Sequence, residues 1–193
     1  MNRLGLLHPS ELDENAKTFY DKLYSYTTTK YGGGKAVFMK KDGRFVGPFG
    51  AELHTPMVGE HFLGMTKAIS QLPGLSPKNR EIAVIVTGAK FNAAYELYGH
   101  RYLALSRGIS EDEFDTIVHG QCPANFTNEE KSVFEFAHGL VHKSGPLSQD
   151  KWDNVLSSLG KDTATALVQV VAFYSYVSVV LNGFDCQVPN VDD

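Results

Sequence analysis

The chain has 193 residues, a net charge of −4 and 42% hydrophobic residues. Those values suit one globular domain with a real core, and the acidic balance argues against nucleic acid as the main partner, because Lys40, Lys41 and Arg44 form only a short basic group. No apolar run is read as a membrane span of about 18–20 residues, Gln169 and several Ser and Tyr residues interrupting Ala164 to Leu181, and the N-terminus turns acidic too soon for a secretory signal, so a cytoplasmic protein is expected.

In chain order, Ser10 is expected to open a helix with Asp13 and Glu14 in its first turn, followed by apolar positions Leu12, Ala16, Phe19, Tyr20, Leu23 and Tyr24 at helical spacing. From Thr27 to Gly50 the pattern breaks down into a triple glycine, a turn-like KKDGR and VGPFG, and is read as a long loop or lid over residues 27–50. Gly32–Gly33–Gly34–Lys35 lacks the spacing and the following Ser/Thr of a phosphate-binding loop. Phe49 and His54, in the segment after the glycines, are candidates to close a pocket. Helical patterns resume at Pro56 and run to about Gln71. Ser76 and Pro77 make an N-cap and first helical position for the next helix. Ser110 with Glu113, and Thr127 with Glu130, are capping boxes that start 110–120 and 127–143. Ser148 starts 148–159, and a long apolar helix runs from Lys161 to about Leu181, closed by Asn182–Gly183. The tail from Gln187 is expected to fray.

No segment alternates with period two over a strand's length. Val84–Ile85–Val86 and Val177 to Val180 are β-branched but lie in longer helical patterns, so the expected class is all-α, a single helical bundle over residues 1–193 with seven or eight helices. The segments 75–100 and 159–184 share an apolar rhythm, a faint sign of a degenerate internal repeat of a helical hairpin.

The chemistry concentrates in REIAVIVTGAKFNAAYELYGHRYLALSRG, residues 80–108. Glu96 and His100 stand four apart on a helix and therefore share a face. A carboxylate there can orient an imidazole and hold its proton, which makes an acid/base unit if the pair faces a pocket and a surface ion pair if it faces water. Glu81 fits a first-turn acid, and reaches the same site only if the chain turns at Lys90–Phe91–Asn92, where Asn92 could cap a second helix. Tyr95 and Arg80 are candidates to stabilise oxygen charge, Tyr98 less so because it points elsewhere on the helix. Tyr174, Tyr176 and Asn182 are candidate pocket lining. The two cysteines, Cys122 and Cys186, are too far apart for a CxxC pair, and HGLVH, with His138 and His142, lacks the Glu and third ligand of a zinc helix. No metal or organic cofactor is expected.

These residues resemble the carboxymuconolactone decarboxylase family, which includes alkylhydroperoxidase D-like proteins. The resemblance rests on Arg80–Glu81, IAVIVTGAKFN, AAYELYGH and ALSRGISEDEF, and extends to GRFVGPFGAELHTPMVGEHF and LVQVVAFYSYVSVVLNGF, so that it spans about residues 43 to 189. It implies the family's all-α bundle and a homo-oligomer. Peroxidase members of that family carry a Glu at the position of Glu81, a His at that of His100, and redox cysteines where Ala93 and Glu96 stand here. Without those cysteines, thiol peroxide reduction is disfavoured and the non-thiol branch is implied. The expected activity is a cofactor-independent decarboxylase acting on a small carboxylated lactone or related cyclic or aromatic acid. The same pocket could instead serve an isomerase, dehydratase, lactone-opening or cyclising enzyme, or the scaffold could be a non-catalytic binding or assembly protein.

Overall fold

The computed structural model describes residues 1–31 and 37–189. A 3-10 turn, Pro9–Glu11, precedes eight helices: α1 (Glu14–Tyr31), α2 (Gly47–Glu52), α3 (Pro56–Ser70), α4 (Pro77–Lys90), α5 (Ala94–Ser106), α6 (Glu111–Val118), α7 (Asn128–His142) and α8 (Gln149–Gly183). The described residues contain no strand, only an isolated bridge between Met39 and Phe45, and the all-α expectation holds.

The local signals explain most boundaries. Ser76 accepts from the Asn79 amide, and the boxes Ser110/Glu113 and Thr127/Glu130 are both closed. These caps satisfy amides that a helix start leaves open. Elsewhere the starts and stops shift. Ser10 lies in the 3-10 turn, and it is Asp13 that receives the Ala16 amide at 2.8 Å and opens α1. Asn92 does not cap α5; it takes a left-handed conformation, φ 49°, and the N-cap is Ala93. Ser148 occupies its N-cap position without a side-chain bond. Gly160, at φ 78° and ψ 168°, breaks α8 where the two predicted helices meet.

The supposed 27–50 loop is largely structured. Its first residues belong to α1 and its last to α2, a six-residue helix whose members are all buried. Between them, residues 37–46 form a small hairpin through the Lys40–Gly43 turn, Val46 donating to the Phe38 carbonyl at 3.0 Å. The triple glycine and Lys35 lie outside the described residues. Nor does the tail fray at its start: Gln187 donates to the Met1 carbonyl at 2.8 Å, and Cys186 is buried.

Helix α4 passes through the middle of the bundle, packed against α5, α6, α7 and α8. Its residues 81–88 are all buried, which explains an apolar run too continuous for an amphipathic surface helix. Each buried Ile or Val there contributes about 1.5–3 kcal/mol relative to exposure. Helix α8 holds an 18-residue window of mean hydropathy 1.8, enough by length and composition to cross a membrane, contrary to the sequence reading; half of that window is buried inside the protein, with Leu167, Val170, Val177 and Leu181 in the core. The proposed repeat does not appear as a duplicated hairpin. Residues 77–106 form two helices with a turn, whereas the second segment continues as one helix from 161 to 183.

Gly47 shows how tightly α2 is set against the site. It has φ 61°, and a Cβ there would overlap the Tyr95 ring. Gly47→Ala is expected to destabilise by about 1–3 kcal/mol through overpacking, read as a lowered Tm. An unchanged Tm would mean that α2 does not press on α5.

Candidate active site

The α4–α5 hairpin assembles the acid/base residues. Left-handed Asn92 reverses the chain, and the Ala93 amide donates back to the Gly88 carbonyl at 3.0 Å. Gly88 permits the close approach: a Cβ there would stand 3.3 Å from Leu97 and 3.4 Å from Glu96. In this antiparallel arrangement Glu81, early in α4, faces His100, midway along α5.

His100 Nδ1 lies 2.7 Å from Glu81 Oε2. A carboxylate accepts, so Nδ1 carries the proton, and Nε2 is left as the working nitrogen. The other oxygen of Glu81 accepts from the Arg107 guanidinium, contributed by the C-cap of α5. Glu81 is 1% exposed and lies between an imidazole and a guanidinium. On the opposite side, Glu96 Oε1 stands 3.2 Å from His100 Nε2. The contact lacks hydrogen-bond alignment, and Glu96 Oε1 is buried with no hydrogen-bond partner among the described residues. The orienting carboxylate is therefore Glu81 and not Glu96, a correction to the i,i+4 reading.

The electrostatics follow from burial and these neighbours. Burial raises the Glu96 carboxyl to about 7, with the Glu81 charge acting in the same direction and His100 against it. Burial by itself would lower His100; the Glu81 and Glu96 charges outweigh it, and the imidazole is raised. Glu96 can thus take up or release a proton near neutral pH beside an imidazole held toward its charged form.

Both residues line a cavity of about 50 Å³. Its walls are mainly aromatic: Tyr31, Phe38, Phe49, Phe62, Tyr95, Phe173 and Tyr174. Tyr174 sets its ring edge-on to His100, centroids 5.1 Å apart. Thr66 also lines the cavity, with its hydroxyl committed to the Phe62 carbonyl at 2.8 Å.

The other candidates divide. Phe49 and Tyr174 are in the wall, Phe49 from α2 instead of a loop. Tyr95 is in the wall too, but its hydroxyl donates to the Val37 carbonyl at 2.8 Å, so it is not aimed at a substrate oxygen. Tyr98 accepts from the Val37 amide at 3.0 Å and does not line the cavity. His54 bonds the Gly5 carbonyl at 3.1 Å, Asn182 donates to the Phe91 carbonyl at 2.7 Å, and Tyr176 donates to Glu52; none of the three lines it. Arg80 is outside the wall, with Nε buried and unpartnered beside Arg107, Tyr174 and Glu81. Sequence reasoning missed Arg107 altogether. Its signal was there: it follows His100 by seven residues, two turns along the same face. It also missed Tyr31, Phe38, Phe62 and Phe173, which come from four separate segments.

Neither cysteine is near this chemistry. Both are free and neither lines the cavity; burial raises the Cys122 thiol and lifts Cys186 to about 11. Among the described residues no group of three His, Cys, Asp or Glu is arranged to hold a metal ion; the His138 and His142 rings stack on each other with centroids 3.9 Å apart.

No curated protein matches the sequence. Among solved structures, the chain is similar to the alkylhydroperoxidase AhpD core of an uncharacterised peroxidase-related protein from Ralstonia eutropha JMP134, with TM-score 0.77, 16% identity, and 98% of this chain and 93% of that one covered. It is also similar to the debrominase Bmp8, as a cysteine-to-alanine variant in complex with 2,3,4-tribromopyrrole (TM-score 0.70, 11% identity, 93% and 90% covered) and in its apo form (TM-score 0.70, 10% identity, 93% and 91% covered). At such identities the likeness concerns the fold. Residues 56–139, which carry Glu81, Glu96, His100 and Arg107, match the carboxymuconolactone decarboxylase family. The family match is confined to residues 56–139, and over the rest of the chain the likeness to the AhpD core is one of fold.

Proposed function

We propose that this protein is a cofactor-independent enzyme that delivers a proton to carbon in a small cyclic substrate, with decarboxylation of a cyclic or aromatic acid as its reaction. The observation that carries the reading is the polarised row Arg107–Glu81–His100–Glu96 ending in an aromatic-walled cavity. Glu81 fixes the tautomer of His100 and favours the imidazolium, which places a transferable proton on Nε2 where a reacting carbon would sit. Loss of carbon dioxide disperses carboxylate charge into the departing neutral molecule and the ring. An aromatic wall that among the described residues contains no Arg or Lys favours that change over the charged starting state.

The cavity is smaller than the roughly 150 Å³ that holds a benzene-sized ligand. Ring binding therefore requires a wall to move; the stacked pair Tyr31 and Phe38, centroids 4.5 Å apart, forms one side of the cavity. The debrominase neighbour binds a small halogenated pyrrole, which supports a small flat ring as the cargo of this kind of cavity.

The test is incubation with a panel of carboxylated lactones and aromatic acids in deuterated water. The expected result is carbon dioxide release with one deuterium on the former carboxyl carbon, abolished in His100→Asn. A product of unchanged mass would replace decarboxylation by isomerisation with the same residues. No turnover or exchange with any member, and no effect of His100→Asn on cellular function, would leave a binding protein. We also infer a homo-oligomer, supported by the exposed apolar side chains Met57, Val58 and Met65 on α3 and Val179 on α8; a solution mass of 21.3 kDa would overturn it.

A further inference from the structure

Glu96 Oε1 is an unusual atom. It belongs to a side chain that is 5% exposed, it lines the cavity, and it receives no hydrogen bond. A buried acceptor in that state carries a desolvation penalty that a native site ordinarily relieves with a partner. Two hydroxyls of the wall are committed elsewhere, that of Tyr95 to Val37 and that of Thr66 to Phe62, and no group among the described residues donates to Oε1. A ligand hydroxyl would supply the missing donor.

We propose that the substrate is an ortho-hydroxyaryl acid, or the equivalent enol of a cyclic β-keto acid, whose hydroxyl donates to Glu96 Oε1 while the neighbouring carboxyl-bearing carbon faces His100 Nε2. This rests on the proton-transfer reading above and adds the substrate class to it. Spacing selects the ortho arrangement. The acceptor and the proton-bearing nitrogen are 3.2 Å apart, so they serve adjacent positions of a ring, whereas a para-hydroxyl would lie on the far side of the ring from the reacting carbon. The aromatic walls of Phe49, Phe62 and Phe173 supply flat faces for the ring.

The step balances without a further reactant. Glu96 takes the hydroxyl proton, and the oxygen pushes electron density into the ring. The imidazolium of His100 protonates the carboxyl-bearing carbon. The bond to the carboxylate breaks, carbon dioxide leaves, and that bond's electron pair returns to the ring. Glu96 gives its proton back to the oxygen, and His100 takes a replacement from solvent. One carboxylate and one proton become one hydroxyarene and carbon dioxide.

The test uses the full chain and small probes. Phenol is expected to bind at least about 10-fold more tightly than anisole by calorimetry, the strength of a hydrogen bond to a charged acceptor. The preference should vanish in Glu96→Leu and shrink severalfold in Glu96→Gln, which keeps the shape should the leucine variant fail to fold. In turnover, 2-hydroxybenzoate should release carbon dioxide, and 4-hydroxybenzoate and 2-methoxybenzoate should not. Equal binding of phenol and anisole, a preference that survives both Glu96 variants, or no binding of either ring overturns the inference. Release of carbon dioxide from a non-hydroxylated lactone, lost in His100→Asn, would overturn it while leaving the proton-transfer reading in place. A phenol preference that depends on Glu96, with no carbon dioxide from any acid, would support Glu96 as the acceptor and remove decarboxylation.

Discussion

Glu81→Ala is expected to cost the fold about 3 kcal/mol and to lower turnover by about two to four orders of magnitude. Glu81 is buried and serves His100 and Arg107 at once. Without it, two groups that carry or seek positive charge face each other across the space it occupied. Breaking such a buried pair typically costs about 3–5 kcal/mol. The lower end applies because the Arg107 side chain keeps 26% exposure and can turn toward water. A second variant separates this charge effect from a plain cavity: Arg107→Met should itself destabilise, but should cost far less in the Glu81→Ala background. Equal costs in both backgrounds would mean that the two residues do not communicate. Glu81→Gln keeps the shape and removes the charge. Because that charge is the largest influence raising the imidazole, its loss should move the His100 titration downward in the NMR spectrum. An unmoved His100 would show that Glu81 does not hold its proton.

The distribution of right and wrong readings follows from the range of the forces concerned. Ser76, Ser110 with Glu113, and Thr127 with Glu130 were legible because a cap is decided within four residues. Helix α2 was not: GPFGAE contains two glycines and a proline, and what makes it helical is the burial of all six residues, a property of the surrounding bundle. At the site, the i,i+4 rule correctly placed Glu96 beside His100 and wrongly made it the orienter. Glu81 wins that place because Asn92 reverses the chain and Gly88 admits α5 close to α4. Both facts concern packing between helices, which a single helical period does not contain. The aromatic wall is less legible still. Phe38 enters it from a hairpin, Phe62 from α3 and Phe173 from α8, and no spacing in the sequence relates them. Tyr95 illustrates the converse: its helix position was right, yet the Val37 carbonyl claims its hydroxyl.

The pH dependence of stability should carry a signature of Glu96 that Glu96→Gln removes. The carboxyl has an ordinary value of 4.5 and is raised to about 7 in the fold. The folded state therefore binds this proton more tightly than the unfolded chain. Its contribution is fully present below about 4.5 and is lost progressively as pH rises through 7. At about 1.4 kcal/mol per pH unit, the loss amounts to about 3 kcal/mol as an upper figure. His100, also raised, acts in the same direction, losing stability as pH rises above its ordinary value. Glu52, raised by burial, adds to the trend, whereas His138, lowered by burial, opposes it. Asp42 and Glu130 are lowered and act only toward acid. For that reason the informative quantity is the difference between wild type and Glu96→Gln, measured by denaturant unfolding at pH 5 and pH 8. The two proteins should be nearly equal at pH 5, and the variant should be the more stable at pH 8 by up to about 3 kcal/mol. A difference that does not change between the two pH values would mean that Glu96 is solvated, and with it would go the case for a dry, proton-sharing pair at the head of the cavity.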